Sequence, residues 1–297
     1  MKQLLLIMNP AAGTKKANPH QPEILSVFGR AGYACLVFMT QKQGDGAALA
    51  AQYAAQADLV VCIGGDGTFN EVISGLVSVE SQTPIGYIPA GSTNDFATSL
   101  GLSKNVIQAA QDIVSGYPQT YDVGRFQERY FTYVASFGAF TRSSYTTSQS
   151  VKNALGHLAY VLEGIRELTS LRRYHVAVLL DHSVRVEGDY IFGAISNSTS
   201  VGGLLTLDKE VVDMNDGQFE LLLVKYPETM AELAEVIVAL SAQKYDSPSL
   251  IFRSASTITV TAEPGIDWTL DGEFAKGSES IEIENLHSAV RIVVNKA

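Results

Sequence analysis

In its first 115 residues the chain alternates short apolar runs with longer amphipathic or alanine-rich stretches, and this alternation limits the fold more than any other feature. Residues 3–8, 33–40, 59–63 and 85–88 read as strands, and 22–31, 45–56, 69–79 and 106–115 as helices. Strands that each hand over to a helix predict a parallel sheet covered on both faces. The opening MKQLLLIMNP has too brief an apolar stretch for a signal peptide and reads as the first buried strand. After about Gly124 the texture changes. RYFTYVASFGAF is aromatic and strand-like, and 151–171 carries apolar residues at helical spacing. Short strand candidates follow at 175–180, 183–187, 190–196, 218–224, 257–262, 268–270, 280–284 and 290–294, with one amphipathic helix at 230–243. The expected organisation is an α/β domain over 1–124, to which 288–297 returns, and a mainly antiparallel β-sandwich domain over 125–287.

Charge and composition exclude several functions. With 21 basic against 31 acidic residues the net charge is −10, which argues against general nucleic-acid binding. It also confines any contact with an anionic membrane to local or apolar patches. No run reaches the roughly 20 apolar residues of a transmembrane helix. Cys35 and Cys62 sit in apolar runs and read as buried thiols, which fits a cytoplasmic protein.

Three loops carry the chemistry. VVCIGGDGTFNEV places Gly64, Gly65, Asp66, Gly67 and Thr68 between a strand and a helix. That arrangement presents backbone N–H groups and a helix N-terminus to an anion. The loop lacks the lysine of a Walker A motif and the spacing of a dinucleotide fingerprint. IPAGSTNDFA repeats the pattern with Gly91, Ser92, Thr93, Asn94 and Asp95; read alone, it is equally a helix cap. NPAAGTKK follows the first strand with Asn9, Pro10, Gly13 and the lysines Lys15 and Lys16. Loops after neighbouring parallel strands share one edge of the sheet, where open α/β sheets bind ligands. A negative charge at the centre of a phosphate cradle, Asp66, is then a puzzle.

These motifs resemble the diacylglycerol kinase catalytic-domain family, which includes bacterial diacylglycerol kinases and the sphingosine and ceramide kinases. The family pattern N-P-x-x-G is matched by Asn9, Pro10 and Gly13, G-G-D-G-T-x-N-E by Gly64 through Asn70 and Glu71, and G-T-x-N-D-x-A by 91–97 with Ser92 for threonine. LGHLAYVLEGI, DGQFELLLV and LDGE match later landmarks, while Tyr133 stands where many members have asparagine. The G-G-D-G-T loop is shared with NAD kinases and, in a related form, phosphofructokinases. The resemblance therefore implies their kind of α/β domain.

The resemblance further implies ATP as phosphoryl donor and Mg²⁺ as cofactor. The nucleotide would be bound by the three loops and Thr40, and Asp66, Asp122 and Asp271 would join an aspartate–water–Mg²⁺ network. Asp271 would be the general base, with Glu273 in support. Read alone, Asp271-Gly272 is a hairpin turn. Asp213, Asp216 and Gln218 match a region that holds a structural Mg²⁺ in related kinases, and equally suit a solvated turn. Arg166, Arg172, Arg173 and His175 read as charges at a helix end, with a headgroup site as the alternative. The implied activity is phosphorylation of a lipid hydroxyl, diacylglycerol first, in the cleft between domains by an enzyme that visits the membrane surface. An NAD kinase and a non-catalytic lipid- or nucleotide-binding regulator are the alternatives, and a homodimer is one assembly open to it.

Overall fold

The computed structural model describes residues 1–13, 18–138, 171–197, 200–201, 205–206, 213–262 and 266–295. Lys15, Lys16, Arg166 and all but the last residue of the helix expected over 151–171 lie outside them. The chain forms two compact units, Met1–Val123 with His287–Ala297, and Gly124–Leu286. Among the described residues no helix is long and apolar enough to cross a membrane.

The first unit contains β1 (Lys2–Met8), α1 (Gln21–Arg30), β2 (Tyr33–Met39), α2 (Asp45–Tyr53), β3 (Leu59–Gly64), α3 (Asp66–Ser78), β4 (Ile85–Pro89), α4 (Asp95–Ser99) and α5 (Val106–Ser115). The start of β5 (Tyr117–Phe126) and the end of β17 (Ser280–Val294) complete it. Strand order is β2-β1-β3-β4-β17, all parallel. Every residue of β3 is buried, as a strand covered on both faces requires. One face packs Leu4, Leu6, Val61 and Ile63 under Ile24 and Phe28 of α1 and Ala110 and Ile113 of α5. α2 packs on α3. The order reverses between β1 and β3, so the crevice at this switch point lies outside their C-terminal ends. The loops after both strands are the glycine-bearing motifs.

The second unit is mainly antiparallel. It contains the end of β5 (Tyr117–Phe126), then β6 (Arg129–Phe131), β7 (Val134–Gly138), β8 (Tyr174–Leu180) and β9 (Val184–Ser196). There follow the short pair β10 (Ser200–Val201) and β11 (Leu205–Thr206), then β12 (Phe219–Lys225), α6 (Met230–Ser241) and β13 (Leu250–Ala255). β14 (Thr257–Ala262), β15 (Trp268–Leu270), β16 (Glu273–Ala275) and the start of β17 close it. The long β9 belongs to two runs: its first half pairs β8, and its second half pairs β7 and β12. Side chains from both runs, including Val176, Phe137, Leu223 and Trp268, fill one core.

Two pairs of expected strands are single strands. Residues 183–187 and 190–196 join because Gly188 and Asp189 stay in register with Val176 and His175 of β8 instead of turning. Residues 280–284 and 290–294 join in β17, which pairs β14 early and β4 late. α3 starts at Asp66, so the glycine motif forms the first turn of the helix.

Candidate active site

The loops of the first unit are packed backbone against backbone. Gly13, at φ +50°, lies so close to the second glycine loop that a Cβ there would meet Ala90 O at 2.5 Å. A Cβ on Gly91 would meet Gly65 Cα at 2.5 Å and Asn94 Oδ1 at 2.7 Å. The glycines therefore admit one another before they admit a ligand. Gly91→Ala is expected to cost about 1–3 kcal/mol, since the backbone it meets cannot swing away. Thermal denaturation alongside ATP titration measures this, with ATP affinity falling too.

Side chains lock the arrangement. Asn9 Nδ2 donates to Thr68 Oγ1 at 3.0 Å, joining the loops after β1 and β3 across the switch point. Thr40 N–H donates to Met8 O at 2.9 Å, holding the end of β2. Asn94, buried and at φ +55°, exchanges two hydrogen bonds of 2.9 Å with the backbone of Gly91. Glu71, assigned to the nucleotide from sequence, accepts from Gly44 N–H at 2.8 Å and Gly46 N–H at 3.0 Å. It caps the start of α2. Tyr87, which no sequence motif flagged, stacks on Phe69 and directs its hydroxyl at Gly64 O and Asn94 Oδ1.

Asp66 answers the charge puzzle in part. Its carboxylate accepts from Asp95 N–H at 3.1 Å and Phe96 N–H at 3.3 Å, so it caps α4 and ties the two glycine loops together. Burial, then the nearby Asp95, push it up to about 6, against the pull of those amides. Burial also raises Asp95, which Lys104 opposes. What is left for a ligand is the N-terminus of α3, which has no side-chain cap, with Ser92 and Thr93 exposed beside it on the second loop. Asn70 lies within α3, its Oδ1 accepting from Ser74 Oγ, and Pro10 in the turn after β1.

Asp122 of β5 is buried and accepts from Ser288 N–H at 2.7 Å, with His287 Nδ1 at 3.0 Å from the same oxygen.

In the second unit, Asp271 and Gly272 form the two-residue turn between β15 and β16, with φ +47° and +87° as a type I′ hairpin requires. The turn and the buried carboxylate are one feature. Asp271 is buried, and Oδ2 accepts from Thr132 N–H at 2.6 Å and Thr132 Oγ1 at 2.8 Å. Oδ1 accepts from Tyr133 and Val134 N–H, each at 3.0 Å. Burial raises its pKa and these donors oppose the rise. Tyr133 contributes its backbone here, which explains why a side chain other than the family's asparagine is compatible with this latch. Glu273 is exposed and pairs with Arg129 at 3.6 Å.

Asp213 and Asp216 lie in the turn before β12 and accept from Asn215 N–H and Gln218 N–H. Next to them is Glu220, 3% exposed, whose Oε2 has no hydrogen-bond partner. Burial, then Asp216, with a smaller push from Asp213, raise it to about 8. Asn285 donates to Gln218 O at 2.9 Å while its own buried Oδ1 is unpartnered. One buried acid beside two exposed ones, with orphaned oxygens on Glu220 and Asn285, is the kind of oxygen donor set that a hard divalent cation takes.

In the described part of the cationic cluster two members have acidic partners, while Arg172 lies over the Tyr174 ring. Arg173 pairs with Asp189 at 3.0 Å and Glu228 at 2.9 Å, and His175 with Asp189 at 2.8 Å and Glu187 at 3.4 Å.

A parallel sheet with glycine-bearing loops at its switch point is an arrangement that binds phosphate-bearing ligands, and here it is joined to a β-rich unit. The model of the diacylglycerol kinase catalytic domain matches residues 3–126. Diacylglycerol kinase of Bacillus subtilis (strain 168) is 33% identical over 303 residues, covering 100% of this chain and 97% of that protein. Diacylglycerol kinase of Staphylococcus carnosus (strain TM300) is 29% identical, covering 99% and 96%. A crystal structure of a diacylglycerol kinase from Bacillus anthracis str. Sterne has TM-score 0.76 at 21% identity, covering 99% and 97%. Yeast NADH kinase shares the fold at TM-score 0.54 and 10% identity, covering 100% and 84%. The chain belongs to the diacylglycerol kinase family, and with it to the lipid kinases.

Proposed function

We propose that the chain transfers the γ-phosphoryl group of ATP to the hydroxyl of diacylglycerol, giving phosphatidic acid. The observation that carries this reading is the uncapped N-terminus of α3 at the switch point, beside Ser92 and Thr93. The amides and positive dipole end of a helix N-terminus suit a chain of phosphates. The acceptor comes from the names of the relatives.

In this reading the α3 amides and the Ser92 and Thr93 hydroxyls orient the phosphates. Asp66, Asp122 and Asp271 are the residues that would hold Mg²⁺, which when bound supplies positive charge against the phosphate oxygens. Among the described residues no three His, Cys, Asp or Glu side chains gather into a ready metal cage. Mg²⁺ that keeps water and phosphate oxygens as ligands has no need of one. Asp213, Asp216 and the main chain near Gln218 would hold a second, structural Mg²⁺, with Glu220 beside them.

Asp271 takes the proton of the acceptor hydroxyl. A carboxylate has about four acceptor sites, and at least four donors meet Asp271 among the described residues, so one must yield. Thr132 Oγ1 is the only one of these four on a rotatable side chain. Contact with the membrane is peripheral, since a diacylglycerol resides in the bilayer.

The test is incubation with Mg²⁺, ATP and a total bacterial lipid extract, followed by mass spectrometry of the chloroform phase. Phosphatidic acid as the new species supports the reading. A different phosphorylated lipid leaves the kinase and replaces the acceptor. No phosphorylated lipid at all refutes the reading.

A further inference from the structure

We propose that His287 is the positioning residue for Asp122, fixing which way that carboxylate faces and thereby the protein's hold on the divalent cation of the ATP complex. The inference rests on the Mg²⁺ role given to Asp122 under the proposed function. The Asp122 side chain is fully buried, whereas that of His287 is 57% exposed. His287 Nδ1 lies 3.0 Å from Asp122 Oδ1, and Ser288 N–H donates to the same oxygen at 2.7 Å. An ionised carboxylate only accepts, so Nδ1 carries the proton. Ser288 Oγ stands 3.4 Å from His287 Nε2 on the other side of the ring.

The backbone is bent to make this possible. Ser288 has φ +53° in the middle of β17, a conformation that a non-glycine residue adopts at a cost. With the chain kinked there, a ring and an amide from consecutive residues converge on one oxygen of a carboxylate on β5. His287 is exposed and Ser288 half-buried, so the imidazole adds little burial. Two donors on Oδ1 fix the rotation of the carboxylate and so the direction of Oδ2. Partners that orient metal-binding groups in this way are commonly worth 10–100-fold in metal affinity.

The test uses the full chain and two readouts. Mn²⁺ binding to the protein–ATP complex is followed by electron paramagnetic resonance, and Mg²⁺ activation of lipid phosphorylation is measured alongside. His287→Ala and His287→Gln are expected to weaken Mn²⁺ binding about 10-fold and raise the Mg²⁺ requirement in step. The KM for ATP at saturating metal should stay within about twofold, because the phosphate-binding loops are untouched. His287→Asn, whose Nδ2 stands where Nδ1 stood, should keep most of the affinity. Unchanged Mn²⁺ binding in His287→Ala would overturn the proposal. So would an asparagine variant as weak as the alanine one, or loss of ATP affinity at saturating metal in parallel with loss of Mn²⁺. If the wild type phosphorylates no lipid, the kinase reading fails, and the Mn²⁺ measurement still decides the role of His287.

Discussion

Asp271→Asn is expected to lower lipid phosphorylation by about three orders of magnitude, the range for loss of a general base. The same change should destabilise the protein. An amide in place of the carboxylate turns an NH₂ toward at least one of the donors from Thr132, Tyr133 and Val134. Leaving a buried donor without an acceptor costs about 1–3 kcal/mol. The two effects separate by temperature: far below the midpoint the variant is folded, so lost activity there reports chemistry. Thr132→Val provides the contrast. It removes the rotatable donor, should cost about 1 kcal/mol, and leaves the carboxylate able to take a proton. Turnover within tenfold of wild type is about what a supporting contact of that size allows. If Asp271→Asn retains substantial turnover while folded, the carboxylate is a latch for the chain between β6 and β7 and no more.

The second large effect is on stability. In metal-free buffer at pH 8, Glu220→Gln is expected to be more stable than the wild type by about 2–4 kcal/mol, because it removes a buried charge whose Oε2 has no partner. The sign follows from the titration. Glu220 titrates at about 8 when folded, whereas an unfolded glutamate ionises at about 4.3. Unfolding therefore releases a proton between these values, and wild-type stability falls as pH rises through this window and levels off above it. The advantage of the variant should fade toward pH 5. Mg²⁺ should offset most of this advantage. A site occupied at a hundred times its dissociation constant adds about 2.7 kcal/mol, and the variant should gain far less. Calorimetric melts with and without Mg²⁺, both in an Asp66→Asn background, measure this. An equal Mg²⁺ gain in both proteins would remove Glu220 from the cation site.

Much of the first unit was legible because its signals are local. Period and length gave β1 to β4, and glycine spacing placed the loops at one edge. The roles of the motif residues were less legible, since they depend on contacts far along the chain. Glu71 reads as a nucleotide ligand and is found capping α2, across 25–27 residues of sequence. Asp271 reads as either turn or base, and its geometry makes the turn the means of burying the carboxylate. Tyr87, Thr132 and His287 carry no motif, because each acts through a partner that only the fold supplies. Glu220 did leave a trace, a single acid within the apolar run FELLLV. The long strands β9 and β17 were divided because glycine, serine and charged residues inside them imitate turns, while pairing on both sides keeps the chain extended.

The most direct test of the central claim is transfer of label. The protein is incubated with Mg²⁺ and γ-labelled ATP, with diacylglycerol in mixed micelles in one tube and NAD in another, and Asp66→Asn runs in parallel. The account predicts label in chloroform-soluble phosphatidic acid, none on NAD, and loss of transfer in the variant. Label on NAD with none in lipid, or ATP bound with no transfer to either, would contradict it.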